Sequence, residues 1–397
     1  MRKLGLIILV AVICLSFGIM VNANEEKKEA KSGEFTFGGH MRLWFYDNVS
    51  GDSTVGTVKK SNTQVAGAEF SSHSFIFFIS KNITENLSVS AAPDFALGSA
   101  GATPSLGKFI GQQRAAYSPN DPTLKFNNIY VKYNMPEYKL ELRGGYIGVE
   151  HTWDYAQDLF WQEQLNGTKF ICDSNLGAWH DTGIEAYRSF EVSNISVPVW
   201  LYILNGSGGA YALDNNTNKA IYVHAEPEFG GQLDGLKASI GYGFGKWGNE
   251  DYVAGVAVGD AHLRKQGYYR WSLGASYDYQ QFSARFEAAG ANFKNKLGYG
   301  TANKEDQGYS GYYLKLFYRA IPDKLTVMLN YDVANKETTL ANNDEFLTTM
   351  LALQYELGPE AMLIFEYDMM DWKNDGVGAA KNEISANRIS LGMRITF

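Results

Sequence analysis

Residues 384 to 397 read Ile384, Ser385, Ala386, Asn387, Arg388, Ile389, Ser390, Leu391, Gly392, Met393, Arg394, Ile395, Thr396, Phe397. From Ile389 onward the odd positions are Ile389, Leu391, Met393, Ile395 and Phe397, and the even ones are Ser390, Gly392, Arg394 and Thr396. Successive side chains of a strand point to opposite faces. This period of two therefore predicts a strand with one wholly apolar face and one that carries hydroxyls, a glycine and a guanidinium. Two settings satisfy it: a soluble sandwich with its polar face in water, or a strand with lipid on one side and water on the other.

The other end of the chain repeats the pattern. Over 34–48, Phe35, Phe37, Gly39, Met41, Leu43 and Phe45 share one face, while Thr36, His40, Arg42, Trp44 and Tyr46 share the other. Between the two ends, strands are predicted at about 66–83, 87–97, 124–135, 138–149, 180–189, 195–205, 219–229, 236–247, 267–279, 282–293, 309–320, 325–334, 345–357 and 361–372, making sixteen in all. Their faces are sorted. Trp271, Leu273, Ala275, Tyr277 and Tyr279 alternate with Arg270, Ser272, Gly274, Ser276 and Asp278, and Leu363, Phe365, Tyr367 and Met369 alternate with Ile364, Glu366, Asp368 and Met370. A Lys or Arg on a lipid face at mid-depth costs about 2–4 kcal/mol, which is the reason to sort charges onto one side. Tyr277, Tyr279, Tyr318, Tyr355, Trp247 and Trp372 fall near strand ends, as aromatic girdles at two interfaces require.

The connections alternate in length. Tight ones include Met135-Pro136-Glu137-Tyr138, Glu191 to Asn194, Gly230 to Gly235, Gln280-Gln281, Ile321-Pro322-Asp323-Lys324 and Gly358-Pro359-Glu360. Long ones rich in Gly, Asn, Asp and Ser are expected at about 49–65, 98–123, 150–179, 206–218, 248–266, 294–308, 335–344 and 373–383. Sorting by side in this way is the habit of membrane barrels, with short turns at one rim and long loops at the other. A soluble sandwich has no reason to do it. An open edge in hydrocarbon would leave N–H and C=O groups unsatisfied, so the strand at 384–397 is expected to close on the strand at 34–48. Pro93 and Pro198 fall inside predicted strands, where each lacks a donor.

Arg2 and Lys3 precede an apolar run from Leu4 to Val21 and then Val21-Asn22-Ala23, the order of a secretory signal cleaved after Ala23. An uncleaved anchor is the rival reading. The organisation expected is a signal at 1–23, a polar leader at 24–33 and one barrel at 34–397. Removing the signal leaves 33 Lys and Arg against 43 Asp and Glu, a formal charge of −10, so nucleic acid is not an expected partner. Cys172 is then the one cysteine left, and an intramolecular disulfide is not expected.

Taken together, the leader, the sixteen alternating segments, the sorted connections and the terminal Phe397 resemble bacterial outer-membrane porins over about 34–397. Ile321-Pro322-Asp323-Lys324-Leu325 and Leu204-Asn205-Gly206 are similar to segments of phosphate-selective-type porins. The resemblance implies an all-β, transmembrane antiparallel barrel in the outer membrane, in contact with its lipid and lipopolysaccharide. It implies a homotrimer passing ions and small hydrophilic solutes by diffusion, a third loop at 150–179 folded into the lumen, and a terminal strand with Phe397 read by the outer-membrane insertion machinery.

That third loop holds Glu150, Asp154, Asp158 and Glu163, among Trp153, Phe160, Trp161 and Phe170. Inward faces supply Arg42, Arg143, Lys315 and Arg388, together with Glu366. Acid facing base across a narrow water path makes a transverse field, so these nine residues are the candidate constriction. The bland alternative is that the charges pair with one another and line water. A phosphate-selective pore needs a dense basic ladder, whereas acids are interleaved here. A general or mildly cation-preferring pore is therefore the expectation, with a substrate-specific channel for an anion, phosphate or another solute as its alternative. Two other classes compete. A barrel lipid hydrolase needs a Ser and a His with an orienting polar group on one face, but the six histidines are dispersed and no G-x-S-x-G, H-E-x-x-H or C-x-x-C occurs. An adhesin would use the same external loops. No catalytic residue, metal or cofactor is expected.

Overall fold

The computed structural model describes residues 35–55, 58–60, 69–94, 125–149, 152–153, 180–205, 219–247, 266–297, 304–338, 342–376 and 382–397. The expected signal, the leader, Cys172 and most of the 150–179 loop lie outside the described residues.

Eighteen strand segments form one sheet. They are β1 (Phe35–Val55), β2 (Val58–Lys60), β3 (Glu69–Asn82), β4 (Leu87–Asp94), β5 (Lys125–Met135), β6 (Leu140–Gly148), β7 (His180–Val192), β8 (Ile195–Leu204), β9 (Ala220–Ala225), β10 (Glu228–Phe229), β11 (Leu236–Trp247), β12 (Gln266–Tyr279), β13 (Phe282–Leu297), β14 (Lys304–Ile321), β15 (Leu325–Thr338), β16 (Asn342–Gly358), β17 (Ala361–Gly376) and β18 (Asn382–Thr396). β2 is only a short arm folded against β1. β9 and β10 are the two halves of one strand, both lying between β8 and β11 and separated at Glu226 and Pro227. Joining those halves and setting the arm aside leaves sixteen spanning strands, as the alternation predicts. The break in the eighth follows from Pro227, which has no N–H to give to the ladder.

Each strand pairs antiparallel with the next, and β18 closes the ring on β1. The seam register runs from His40 opposite Thr396 to Val55 opposite Asn382, with Arg42 directly across from Arg394. Backbone bonds between Gly39 and Phe397, at 2.8 and 3.1 Å, carry it to the last residue. The Phe397 ring covers Gly39, where any Cβ would overlap it, and meets Phe77 edge-on at 5.8 Å. Among the described residues the ring of spanning strands closes without an edge strand, which is the condition for placing a sheet in hydrocarbon.

Tight turns occur at the expected places, with left-handed residues at Lys139, Ser193, Gln280 and Asp323. Pro93 is accommodated by a register shift between Ala92 and Pro93 in the β4–β5 pair, where the ladder is already interrupted. The far ends differ from expectation. β1 runs on to Val55, β13 to Leu297, β14 starts at Lys304, β15 ends at Thr338 and β17 at Gly376. The loops expected at 294–308, 335–344 and 373–383 are thus largely ladder. Above the hydrocarbon both faces of a strand meet water, so the alternation that reveals a strand disappears while its hydrogen bonds continue.

The faces divide as the sequence divides them. Ile240, Leu273, Leu316 and Leu351 are exposed on the outside, whereas the alternate positions hold buried Arg270, Glu287, Lys315 and Asp332. Outward Tyr277 and Tyr279 stack at 6.2 Å, and Phe282 with Tyr318 at 4.9 Å, next to the tight turns. Tyr269 and Trp271 lie higher on the same face. From Tyr279 to Tyr269, at about 3.4 Å per residue and a tilt of about 45°, the rise is roughly 24 Å, which matches a hydrocarbon band.

Candidate functional site

Because neighbouring strands place directly opposed residues on one face, the ladder registers define belts of side chains around the inner wall. One belt begins Lys132, Arg143, Glu185, Tyr202, Tyr222 across β5 to β9. Within it Arg143 lies 3.3 Å from Glu185, and Arg143 and Lys132 reach Glu141 of the adjacent belt at 2.7 and 3.3 Å. A second belt, nearer the turns, includes Glu228 opposite Lys237, which pair at 2.5 Å, and farther round Asp368 opposite Arg388, with Arg388 Nε donating to Asp368 Oδ2 at 3.0 Å. Arg319 and Asp278 meet at 3.4 Å by the Gln280 turn. Bases are repeatedly matched by acids, so the described wall carries no unbroken basic ladder.

Two described residues shortly after β6 lie in this interior. Thr152 and Trp153 are both buried. The Trp153 N–H donates to Glu287 Oε1 on β13 at 2.9 Å, and its ring lies against Gly274 on β12, where an added Cβ would sit 3.1 Å from it. Tyr313 Oη donates to Glu287 Oε2 at 3.0 Å, so both carboxylate oxygens are held. A carboxylate can be kept at zero exposure only with such charge-assisted partners. The loop start is therefore fastened to a wall several strands away from β6.

Above this point the interior is aromatic. Tyr222, Tyr268, Phe293 and Tyr309 pack in sequence at 6.4, 5.5 and 5.8 Å, and the Arg270 guanidinium lies 5.6 Å from the Tyr268 ring and 5.3 Å from that of Phe293. Gly243 and Gly245 leave room for the Tyr222 and Tyr268 rings. Ile147 and Val149 of the β6 end join the same cluster.

The candidate constriction residues are placed as follows. Arg143 faces inward and is partly open. Lys315 and Glu366 also face inward but are almost wholly buried, with Lys315 Nζ 5.0 Å from the Tyr313 ring. Arg388 is buried against Asp368. Arg42 occupies an inward register position in β1, and its side chain is outside the described residues. Glu150, Asp154, Asp158 and Glu163 lie outside them too.

The structure brings together some groups that the sequence reading treated as scattered. His224 Nε2 is 2.9 Å from Ser239 Oγ and 3.6 Å from Glu226 Oε1. Both neighbours face the same ring nitrogen, and the serine is buried, so the set lacks the relay through two nitrogens that a nucleophile needs. A second group is the inward pair Tyr187 and Trp200, directly opposed on β7 and β8 with centroids 5.0 Å apart. Its only sequence signal was aromatic residues at inward parity, next to Glu185 and Tyr202.

Residues 206–375 match the family described as Gram-negative porin. No curated protein matches the chain. Among solved structures, the outer membrane channel DcaP of Acinetobacter baumannii aligns with a TM-score of 0.59 at 11% identity, over 93% of this chain and 99% of that one. OprB of Pseudomonas putida aligns at 0.58 and 12% identity, over 92% and 94%. An anion-selective porin from Comamonas acidovorans aligns at 0.57 and 14% identity, over 92% and 100%. At these identities the likeness concerns the fold.

Proposed function

We propose that the chain, which matches the Gram-negative porin family over residues 206–375 and resembles outer-membrane channels in its fold, is an outer-membrane barrel of that type and a non-enzymatic, water-filled channel for passive diffusion of ions and small hydrophilic solutes. The closed antiparallel ring with apolar side chains outside and charged ones inside carries this reading. The chain would be exported by the 1–23 signal, carry 24–33 as a leader, and assemble as a homotrimer in contact with lipid and lipopolysaccharide. Phe397, laid over Gly39 at the seam, would present the signal to the insertion machinery. Steady conductance steps from purified protein in a planar bilayer are the expected result, and their absence refutes the channel.

The 150–179 loop would narrow the lumen, with Glu150, Asp154, Asp158 and Glu163 facing Arg42, Arg143 and their neighbours. The Trp153 anchor supports this, because the described residues at the start of that segment are held inside the barrel against β12 and β13. Trp153→Ala is expected to loosen the loop and raise single-channel conductance with noisier open levels, and Gly274→Val, which crowds the same ring, is expected to do likewise. Unchanged conductance and noise in both would separate the loop from the constriction.

Pairing of bases with acids favours weak selectivity, and the net negative charge favours a slight preference for cations. Arg143→Ala would uncover Glu141 and Glu185, so the reversal potential in a salt gradient should move toward cation preference. Asp154→Ala should move it the other way. Shifts of the same sign, or none, would overturn the assigned field.

A further inference from the structure

We infer that the outer face of β1 to β7, at the rim of tight turns, holds an anionic phospholipid by its headgroup, an inference that rests on the outer-membrane reading above and not on conduction. Two cations stand there on the lipid side of the wall. Arg188 of β7 shares its face with the exposed Ile184 and Phe190 and lies directly opposite Leu140, the first residue of β6. It is itself exposed, and its guanidinium lies 4.8 Å from the ring of Phe190, two residues nearer the turn. The stem thus crosses apolar surface while the charge reaches toward the rim. Lys81 of β3, next to the turn at its end, is directly opposite outward Phe35, and its Nζ lies 4.7 Å from that ring.

Neither cation makes an ion pair among the described residues. Glu191, the acid nearest Arg188 on its own strand, faces the other way and accepts from Ser196 Oγ at 2.9 Å. Glu85, Glu137 and Lys139 sit exposed in the turns themselves. The opposite rim is built differently, since outward Lys373 of β17 stands directly across from outward Glu345 of β16. So is the tight-turn rim on β12 to β14, where the outward residues are Tyr277, Tyr279, Phe282 and Tyr318. A tyrosine hydroxyl anchors at a headgroup layer without choosing its charge. A lysine or arginine does choose, because it attracts a phosphate diester and repels the ammonium of a zwitterionic lipid. Each ring covers one side of its cation and leaves N–H donors free at the edge, and the fork of Arg188 suits two phosphate oxygens at once.

Electron spin resonance of the full chain refolded into phosphatidylcholine vesicles tests the assignment, with spin-labelled phosphatidylglycerol or phosphatidylcholine as the probe. The expected motionally restricted fraction is about twofold larger for phosphatidylglycerol, since a few favoured positions are averaged with neutral ones around the barrel. That preference should fade at about 1 M KCl, as an exposed charge pair is screened. The double variant Arg188→Gln, Lys81→Gln should abolish it, Arg188→Lys should keep most of it, and Lys373→Gln at the opposite rim should leave it unchanged. Should the double variant fail to fold, Arg188→Gln alone carries the expectation of a reduced preference. Equal fractions of the two labels would remove the lipid site and leave the barrel in its membrane. No restricted fraction of either label would remove the membrane placement as well. A preference that survives the double variant, or that falls as far in Lys373→Gln, would overturn the assignment to Arg188 and Lys81.

Discussion

Leu391→Pro is expected to leave no folded barrel. Leu391 sits mid-seam, opposite Phe45 on β1 and Phe365 on β17. In an antiparallel ladder its N–H serves one of those neighbours, and proline deletes that bond and clashes with the strand beside it. In an open sheet one lost bond frays an edge. In a closed ring within hydrocarbon the groups released find no water, each at a cost of several kcal/mol, and closure is all or none. The unboiled protein should lose its compact, faster-migrating form on a denaturing gel after refolding in detergent, whereas Leu391→Val should keep it. A compact form in the proline variant would mean that the β1–β18 seam is dispensable.

Leu351→Arg should have the next largest effect. Leu351 is 44% exposed on the outer face, opposite Leu329 and Tyr367, and four residues from Tyr355 in the turn-side girdle. That spacing puts it about 10 Å inside the band, near mid-depth, where a guanidinium costs about 2–4 kcal/mol. Denaturant unfolding in lipid vesicles should register that loss. Ala352→Ser, one residue on but inward, should change stability far less. Equal losses from both would show that the faces are assigned wrongly.

Both arguments use features that were legible before any coordinates. Alternation at 384–397 identified the seam strand and its inward Arg388 and Arg394, and short turns at positions such as Gln280-Gln281 fixed which rim was which. The strand ends were not legible. Asn335 to Thr338 pair with Gln307 to Ser310, yet they read as a loop, because a ladder bathed on both faces needs no apolar residue. The site was legible in direction but not in depth. Period two says that Lys315 and Glu366 point inward, and cannot say that the interior there is packed closely enough to bury them. Burial depends on what crosses the lumen, and the contact of Trp153 with Glu287 joins residues 134 apart in the chain. Nor does any local pattern place His224 beside Ser239, since the broken eighth strand and its neighbour must first be in register.

The prolonged ladders of β13 to β18 alter what another molecule would meet at that rim of the barrel. β15 ends at Thr338 and β16 begins at Asn342, while β17 ends at Gly376 and β18 begins at Asn382. On that side the outermost described residues sit in paired strands, and neighbours in space such as Asp344 and Asn374 come from different strands. An antibody or phage protein gripping there would read a discontinuous epitope held in shape by the barrel. Recognition would then vanish on denaturation, and a linear peptide spanning 335–344 would be a poor mimic of it.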